Sequence, residues 1–364
     1  MKITDSLKKY TMIIALVLVV AFFYWSTEGK ILYAQNINNL ISQNAYVFVL
    51  ATGMLLCILT GGNIDLSVGS VVCFVGGIGA LIMDKKMSPW LAVIVMLIVG
   101  LLVGMFQGFW IAYIKVPPFI ATLAGMYAFR GLSNVVLQGY AVSVSDTTFL
   151  NVFGGGADCY VPNFLGGETL NITCLAAGIL ITAFYILLTI RNRIRKKTKG
   201  YATQPFAGEL IKTVLISAAI VWLFYKLSNY KGIPSALIWI ALVLLVYAYI
   251  TSKTTIGRYL YAVGGNEKAT RLSGVNTKKV YFFAYANMGL LAGLAGILTI
   301  ARAASAQPTY GQGYEMDAIA ACFIGGASAY GGVGSVVGMV VGATLMAKKI
   351  RAVFKYISTS KLVA

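Results

Sequence analysis

The chain of 364 residues contains no histidine, and its 11 Asp and Glu residues are outnumbered by 29 Lys and Arg residues. The absence of histidine excludes the imidazole base of the usual catalytic triad and most catalytic zinc sites. The five cysteines form no CxxC pair and show no metal-ligand spacing, so no metal site is predicted. No P-loop sequence for phosphate binding occurs either. We therefore expect neither catalysis nor a bound cofactor in this chain.

Charged residues of both signs are scarce, at 11% of the chain, against about 25% in an average soluble domain. Hydrophobic residues reach 59%, and the mean hydropathy is +0.81. This composition excludes a soluble enzyme and a soluble nucleic-acid binder. Because a helix crosses the bilayer core with about 20 apolar residues, we predict an all-α, polytopic membrane protein with about ten transmembrane helices. The candidate spans lie near residues 10–25, 44–60, 67–83, 89–114, 117–137, 172–190, 211–228, 233–251 and 280–301, and in an apolar region, 314–347, that is interrupted at Tyr330–Gly332.

The loops between these spans predict an orientation. The basic stretch 191–199 and the loop 252–279 each carry six Lys or Arg residues, whereas 131–190 carries none. Under the positive-inside rule the two basic loops face the cytoplasm, the loop 138–171 faces outward, and the N-terminus is cytoplasmic. Cys159 and Cys174 both fall near the outer face, where a disulfide between them is the less favoured alternative to two free thiols.

Two segments of the chain resemble each other. Residues 60–72 and 324–337 each carry Gly-Gly, a short insert and then Val-Gly-Ser-Val-Val. A parallel duplication explains this better than two unrelated glycine-rich helix breaks, and membrane transporters are often built from such repeats. We therefore predict a single transmembrane domain, 1–347, made of two similar halves in the same orientation.

Ionisable residues within or beside the spans are few, and their cost in a membrane makes each a functional candidate. Asp65 either caps the helix that follows it or belongs to a conformational hinge. Glu315 and Asp317 begin a helix, where negative charge suits the helix dipole, or act in transport. Arg130 either snorkels to an interface or pairs with an acid in the bundle.

The loop 252–279 contains the pattern of a short amphipathic helix. Asn266 follows Gly264-Gly265 and can cap it, Ala269, Leu272 and Val275 recur along one apolar face, and Gly274 can end it. Such a helix is suited to dock in a groove of a cytoplasmic partner. The alternative is an interfacial helix that packs on its own chain.

Four stretches together resemble the permease subunits of carbohydrate ABC importers, in the branch that transports ribose, xylose and multiple sugars. They are LTGGNIDLSVGS at 59–70, PPFIATLAGMYAFRGL at 117–132, TIGRYLYAVGGNEKATRLSGV at 255–275 and GYEMDAIAACFIGGASAYGGVGS at 313–335. Their order and spacing also fit, and the resemblance covers roughly residues 5–347.

The resemblance implies a multi-pass protein of the bacterial inner membrane, in which a permease homodimer forms the path for a monosaccharide such as xylose, ribose, galactose or arabinose. Separate ABC ATPase subunits would bind ATP and Mg, an extracytoplasmic sugar-binding protein would deliver the sugar, and no nucleic acid takes part. The ATPase-coupling residues would be Gly264, Gly265, Asn266, Glu267, Ala269, Thr270, Leu272, Ser273 and Gly274, with Thr270 in place of a more usual alanine. The candidates for the translocation path or its hinges are Gly61, Gly62, Asp65, Ser67, Gly69, Phe119, Thr122, Arg130, Glu315, Asp317, Gly325 and Gly326.

Two expectations remain beside this reading. An ion-coupled secondary transporter of sugars or small solutes is the alternative, with Asp65 or Asp317 as its proton or cation site, but such a carrier has no need of the 264–274 loop.

The family pattern stops near Ala347, where members continue with another hydrophobic helix. The basic segment 348–364 is therefore expected to be an atypical tail that reflects a truncation or frameshift, with the last family helix missing.

Overall fold

The structure, a computed structural model, describes residue 14 and residues 16–167, 170–201 and 205–346. The tail predicted at 348–364 lies outside the described residues. The helices are α1 (Leu16–Ser26), α2 (Ala34–Gln43), α3 (Ala45–Leu59), α4 (Val68–Asp84), α5 (Pro89–Phe109, continued by a π turn over Trp110–Ile114), α6 (Pro118–Leu137), α7 (Thr147–Phe153), α8 (Ile172–Thr198), α9 (Phe206–Ser228), α10 (Ser235–Lys253), α11 (Thr255–Gly265), α12 (Glu267–Leu272), α13 (Thr277–Ala303), α14 (Tyr314–Ile324) and α15 (Val336–Leu345). A 3₁₀ turn covers Lys30–Leu32, and two short antiparallel strands, β1 (Val142–Ser143) and β2 (Ser305–Ala306), pair with each other.

The predicted all-α polytopic fold is confirmed. Among the described residues, six helices are long and apolar enough to cross a membrane, namely α5, α6, α8, α9, α10 and α13. A seventh span arises if α2 and α3, which meet at a bend of 44°, are counted together. The helices α1, α4 and α15 are shorter apolar helices at or within other predicted spans.

The interrupted apolar region becomes a pair of half-length helices. Helix α14 has 11 residues and α15 has 10, which at 1.5 Å per residue makes each about 15 Å long. Neither can cross a hydrocarbon core of about 30 Å alone. The break between them therefore lies where the sequence predicts it, but α14 and α15 are not two complete transmembrane spans.

Helix α13 is the centre of the bundle, since 78% of its most apolar 18-residue stretch is buried inside the protein. It packs on α3, α4 and α5. A Cβ atom added to Gly289 or Gly293 would meet the backbone of α5, and one added to Gly100 or Gly104 would meet the backbone of α13. Both helices thus carry a GxxxG pair, which lets two backbones approach closely.

Helices α8 and α9 form a hairpin at the edge of the bundle. They pack on each other, and α9 also packs on α2, around a small separate cluster that includes Cys174 and Phe224. Only 17% of the most apolar 18-residue stretch of α8 and 11% of that of α9 are buried inside the protein, as expected for helices that face lipid. At the end of the hairpin Arg193 pairs with Glu209, and its guanidinium lies 5.1 Å from the centre of the Phe206 ring.

All five cysteines lie in the described part of the chain, where each is free and buried. Cys159 and Cys174 are therefore not bonded to each other. Strand β1 joins the loop after α6 to β2, which directly follows α13, and pairs Val142 with Ala306. This small sheet marks the end of α13 that is opposite to α12.

Candidate coupling segment and translocation path

The predicted short helix in the 252–279 loop is present as α12. The side chain of Asn266 accepts a hydrogen bond from the Ala269 N–H at 2.9 Å, which caps the helix. Gly274 follows the helix with a φ of +84°, a conformation that favours glycine. Leu272 is 88% exposed. The helix therefore presents its leucine to the surroundings instead of burying it on its own chain.

Glu267 attaches the start of α12 to the bundle. Its carboxylate accepts hydrogen bonds from the Thr277 hydroxyl at 3.1 Å and the Tyr281 hydroxyl at 3.0 Å. Lys115 Nζ, just after the π turn of α5, lies 3.6 Å from the same carboxylate and 5.3 Å from the centre of the Tyr281 ring. These contacts attach the start of α12 directly to α13 and to the end of α5.

Five glycines from three distant segments meet beside α12. We call Gly61, Gly62, Gly264, Gly331 and Gly332 the glycine cluster. A Cβ atom on Gly264 would overlap the Leu59 carbonyl oxygen and the Gly332 backbone, one on Gly331 would overlap Gly61, and one on Gly62 would overlap Ala329. The Gly332 N–H donates to the Leu59 carbonyl at 3.1 Å. The glycine-rich turns of the two predicted repeats therefore contact each other and the C-terminal end of α11.

The other predicted glycine pair lies nearby in the turn between the half-length helices. A Cβ atom on Gly325 would overlap the backbone of Gly338 at the start of α15, and Gly326 has a φ of +88°. Tyr261 of α11 donates its hydroxyl to the Gly334 carbonyl at 2.9 Å. The turn of the α14–α15 hairpin is thus held on α11 as well as on the glycine cluster.

Asp65 is buried, with 3% of its surface exposed, and it serves the start of α4. Its Oδ1 accepts the Ser67 N–H at 2.9 Å and the Ser67 hydroxyl at 2.7 Å. The Ser67 hydroxyl lies 2.8 Å from Gln107 Nε2 of α5. Asp65 therefore holds the turn that leads into α4, whose N-cap residue, Ser67, makes no side-chain capping bond to the helix. The sequence analysis does not include Gln107 among the site residues, although a polar glutamine inside the apolar run 89–114 indicates a buried polar contact.

Arg130 binds main-chain carbonyls. Its Nη1 donates to the Pro308 carbonyl at 3.1 Å and to the Tyr310 carbonyl at 2.6 Å, which fixes the segment between β2 and α14 on α6. Gly69 of α4 lies against the Gly311 carbonyl and the Glu315 carboxylate. Arg130, Gly69 and Glu315 therefore surround the same segment.

Two predicted path residues do not join the other polar side chains. Phe119 is 54% exposed on α6. Thr122 is fully buried, and its hydroxyl donates to the Pro118 carbonyl of its own helix at 2.9 Å. The contacts of the predicted path residues thus fall into separate groups.

Asp317 lies in the first turn of α14 and is 2% exposed. Its Oδ2 accepts the Tyr46 hydroxyl at 2.8 Å. The rings of Tyr46 and Tyr314 are stacked, with centroids 3.7 Å apart. Tyr46 was missed because nothing in its surroundings in the sequence distinguishes it from the other aromatic residues.

Comparison with known proteins shows where this architecture belongs. A family model described as the permease component of branched-chain amino acid transport systems matches residues 36–165 and 163–363. The chain belongs to this family of transport permeases. The second matched range includes most of the segment 348–364, for which the sequence predicts an atypical tail.

Relatives of the permease include sugar permeases, as the four sequence stretches predict. The xylose transport system permease protein XylH of Escherichia coli K12 is 37% identical over 352 residues, which cover 94% of this chain and 84% of that protein. XylH of Haemophilus influenzae is 36% identical over 343 residues, or 94% and 88%. The ribose import permease protein RbsC of Escherichia coli K12 is 32% identical over 311 residues, or 85% and 75%. No solved structure matches the permease.

Proposed function

We propose that this chain is the membrane-spanning subunit of an ATP-driven importer for a monosaccharide in a bacterial inner membrane, with xylose as the first candidate and ribose, galactose and arabinose as others. The observation that carries this is the similarity to the xylose permeases, which extends over 94% of the chain. In this proposal two copies form the path, separate ATPase subunits hold ATP and Mg, and an extracytoplasmic binding protein supplies the sugar.

Helix α12 is the proposed contact with the ATPase. Its exposed Leu272 shares the exposed surface of the helix with the cationic side chains of Lys268 and Arg271, and Glu267 attaches the start of the helix to α13. An apolar side chain 88% exposed on a capped helix is suited to a groove in a partner. An ion-coupled carrier, the alternative function, has no use for this surface.

The first test identifies the partner. The tagged chain is purified in mild detergent from membranes of the organism that encodes it, and co-purifying proteins are identified by mass spectrometry. We expect an ATPase with a P-loop. Leu272→Asp should abolish its recovery, because the substitution puts a charge into the apolar contact. Charge reversal in Glu267→Lys, or the backbone change in Gly274→Pro, should also weaken recovery by displacing α12.

The matched control is Tyr201→Asp, which places the same charge on another exposed residue of a predicted cytoplasmic loop. It should leave ATPase recovery unchanged. A wild-type chain that is well folded but has no associated ATPase contradicts the importer. Equal ATPase recovery with Leu272→Asp contradicts the proposed role of α12.

The second test identifies the substrate. The isolated complex is placed in proteoliposomes with its binding protein, and ATP-dependent uptake of labelled xylose, ribose and leucine is compared. We expect uptake of a sugar and none of leucine. Uptake of leucine alone would make the family description, and not the sugar relatives, the better guide.

A further inference from the structure

A cavity of about 210 Å³ lies where α3 begins, α13 ends and α14 begins. This volume is well above the ~10–15 Å³ that a single water needs. The residues that carry the argument are Ser42, Tyr46, Thr299, Arg302, Tyr310 and Tyr314.

The lining combines aromatic faces with hydrogen-bonding groups. Three tyrosines supply rings, while Ser42 and Thr299 supply hydroxyls and Arg302 a guanidinium. A sugar ring has the complementary surface, since its C–H groups pack on aromatic faces and its hydroxyls bond around the edge. Ligand sites in general are largely apolar with a few placed polar groups. The lining therefore suits one small polyhydroxylated ring.

The position of the cavity fits an entry site. Helix α13 begins at Thr277, which binds Glu267 of α12, and ends at Ala303, which lines the cavity. Its 27 residues span about 40 Å at 1.5 Å per residue. The cavity is thus at the end of the bundle opposite to α12. In an importer, substrate arrives from the side that faces away from the ATPase.

The inner wall of the cavity is held by a buried acid. Tyr46 is 4% exposed, its hydroxyl donates to Asp317, and its ring stacks on Tyr314. Tyr314 and Asp317 both lie in the first turn of α14, and the other end of α14 leads through the α14–α15 turn to the glycine cluster. One short helix therefore carries a wall of the cavity and leads to the glycine cluster at the end of α11, next to the start of α12.

We propose that this cavity binds the monosaccharide as it enters the permease, with Tyr314 as a sugar-contacting residue and Asp317 as a positioning residue that holds Tyr46. The proposal rests on the proposed function and adds a binding site to it. Displacement of α12 would reach the site through the glycine cluster and α14, which would couple sugar contact to the ATPase.

The test is protection of a cysteine by sugar. Thr299→Cys places a nearly isosteric thiol in the cavity, and the five native cysteines are buried. Its labelling by a charged, membrane-impermeant methanethiosulfonate is followed in the reconstituted complex. At ten times the half-protecting concentration of the transported sugar, labelling should slow about tenfold. Leucine should not slow it. Ser42→Cys repeats the test from the α2 side.

The control is Met87→Cys, an exposed position in the α4–α5 loop, whose labelling should not respond to sugar. Absence of protection at both cavity positions, in vesicles that still take up sugar, overturns the site while the proposed function stands. Vesicles without sugar uptake and without protection overturn both.

Further variants separate contact from positioning. In the Thr299→Cys background, Tyr314→Ala should abolish protection and Tyr314→Phe should retain it. Asp317→Asn and Tyr46→Phe should each raise the half-protecting sugar concentration about three- to tenfold, and raise KM for uptake more than they lower kcat. The effects of the double variant should be less than additive, because Tyr46→Phe removes the hydrogen bond that Asp317→Asn weakens by replacing the carboxylate with a neutral acceptor. Additive effects would overturn the positioning role.

Discussion

At the scale of single residues, adjacent glycines have opposite surroundings at the end of α11. A methyl group on Gly264 would overlap the Leu59 carbonyl oxygen and the Gly332 backbone, whereas one on Gly265 would meet nothing within 4 Å. Gly264 is therefore required by its contacts, and Gly265 is not.

Gly264→Ala should accordingly destabilise the permease by about 1–3 kcal/mol, since backbone atoms must move to make room. It should also reduce coupling between ATP hydrolysis and uptake. Gly265→Ala is the matched control and should change neither. Thermal unfolding in detergent, followed by size-exclusion chromatography, measures the first effect. Equal behaviour of the two variants would show that the glycine cluster is not tightly packed.

A second prediction at this scale concerns Cys159. Burial raises the pKa of its thiol above the ordinary value, although the positive charge of Arg302 partly opposes this. Because the thiolate is the reactive form, labelling should be slow at neutral pH and should still increase at alkaline pH, where the exposed thiol of Met87→Cys has reached its maximum. Labelling rates as a function of pH measure this. Identical pH profiles would contradict it.

At the scale of elements, and among single helices of the described residues, the most extensive contact is between α5 and α13. Gly289 faces Gly100 and Gly104 with no space for a side chain. Gly289→Ala should separate the two helices and lower the free energy of unfolding by about 1–3 kcal/mol. Gly131→Ala in α6 is the control, since a Cβ atom there has open space. It should be neutral or stabilise the helix by up to about 1 kcal/mol. Similar stability for both variants would argue against this interface.

At the scale of the whole molecule, the distribution of basic residues predicts one orientation. With six Lys or Arg residues in each of 191–199 and 252–279, the C-terminal end of α8 and α12 are predicted to face the cytoplasm. In intact cells an impermeant thiol reagent should label Met87→Cys but not Leu272→Cys. Permeabilised cells that produce the permease without its ATPase should label both, because both side chains are exposed in the chain alone. Labelling of Leu272→Cys in intact cells would indicate the inverted orientation.

Much of the fold could be predicted because its signals are local. Apolar length shows the spans, Tyr330–Gly332 lies in the break between α14 and α15, and Asn266 caps α12 as predicted. The GxxxG pairs of α5 and α13 can also be recognised in the sequence. Neither helix by itself, however, indicates which other helix it packs against. Half-length α14 and α15 were harder to predict, since hydropathy reports burial in lipid and in protein alike.

The class of protein, the position of α12 and the family resemblance follow from composition and from residues close together in the chain. Tertiary packing is needed to show that Gly62, Gly264 and Gly331 meet, that Gln107 contacts Ser67, and that Tyr46 lies between Asp317 and Tyr314. These contacts join residues far apart in the chain. The glycine contacts exist because small residues let backbones pack closely. The polar contacts exist because a buried polar group is stable only beside a hydrogen-bond partner.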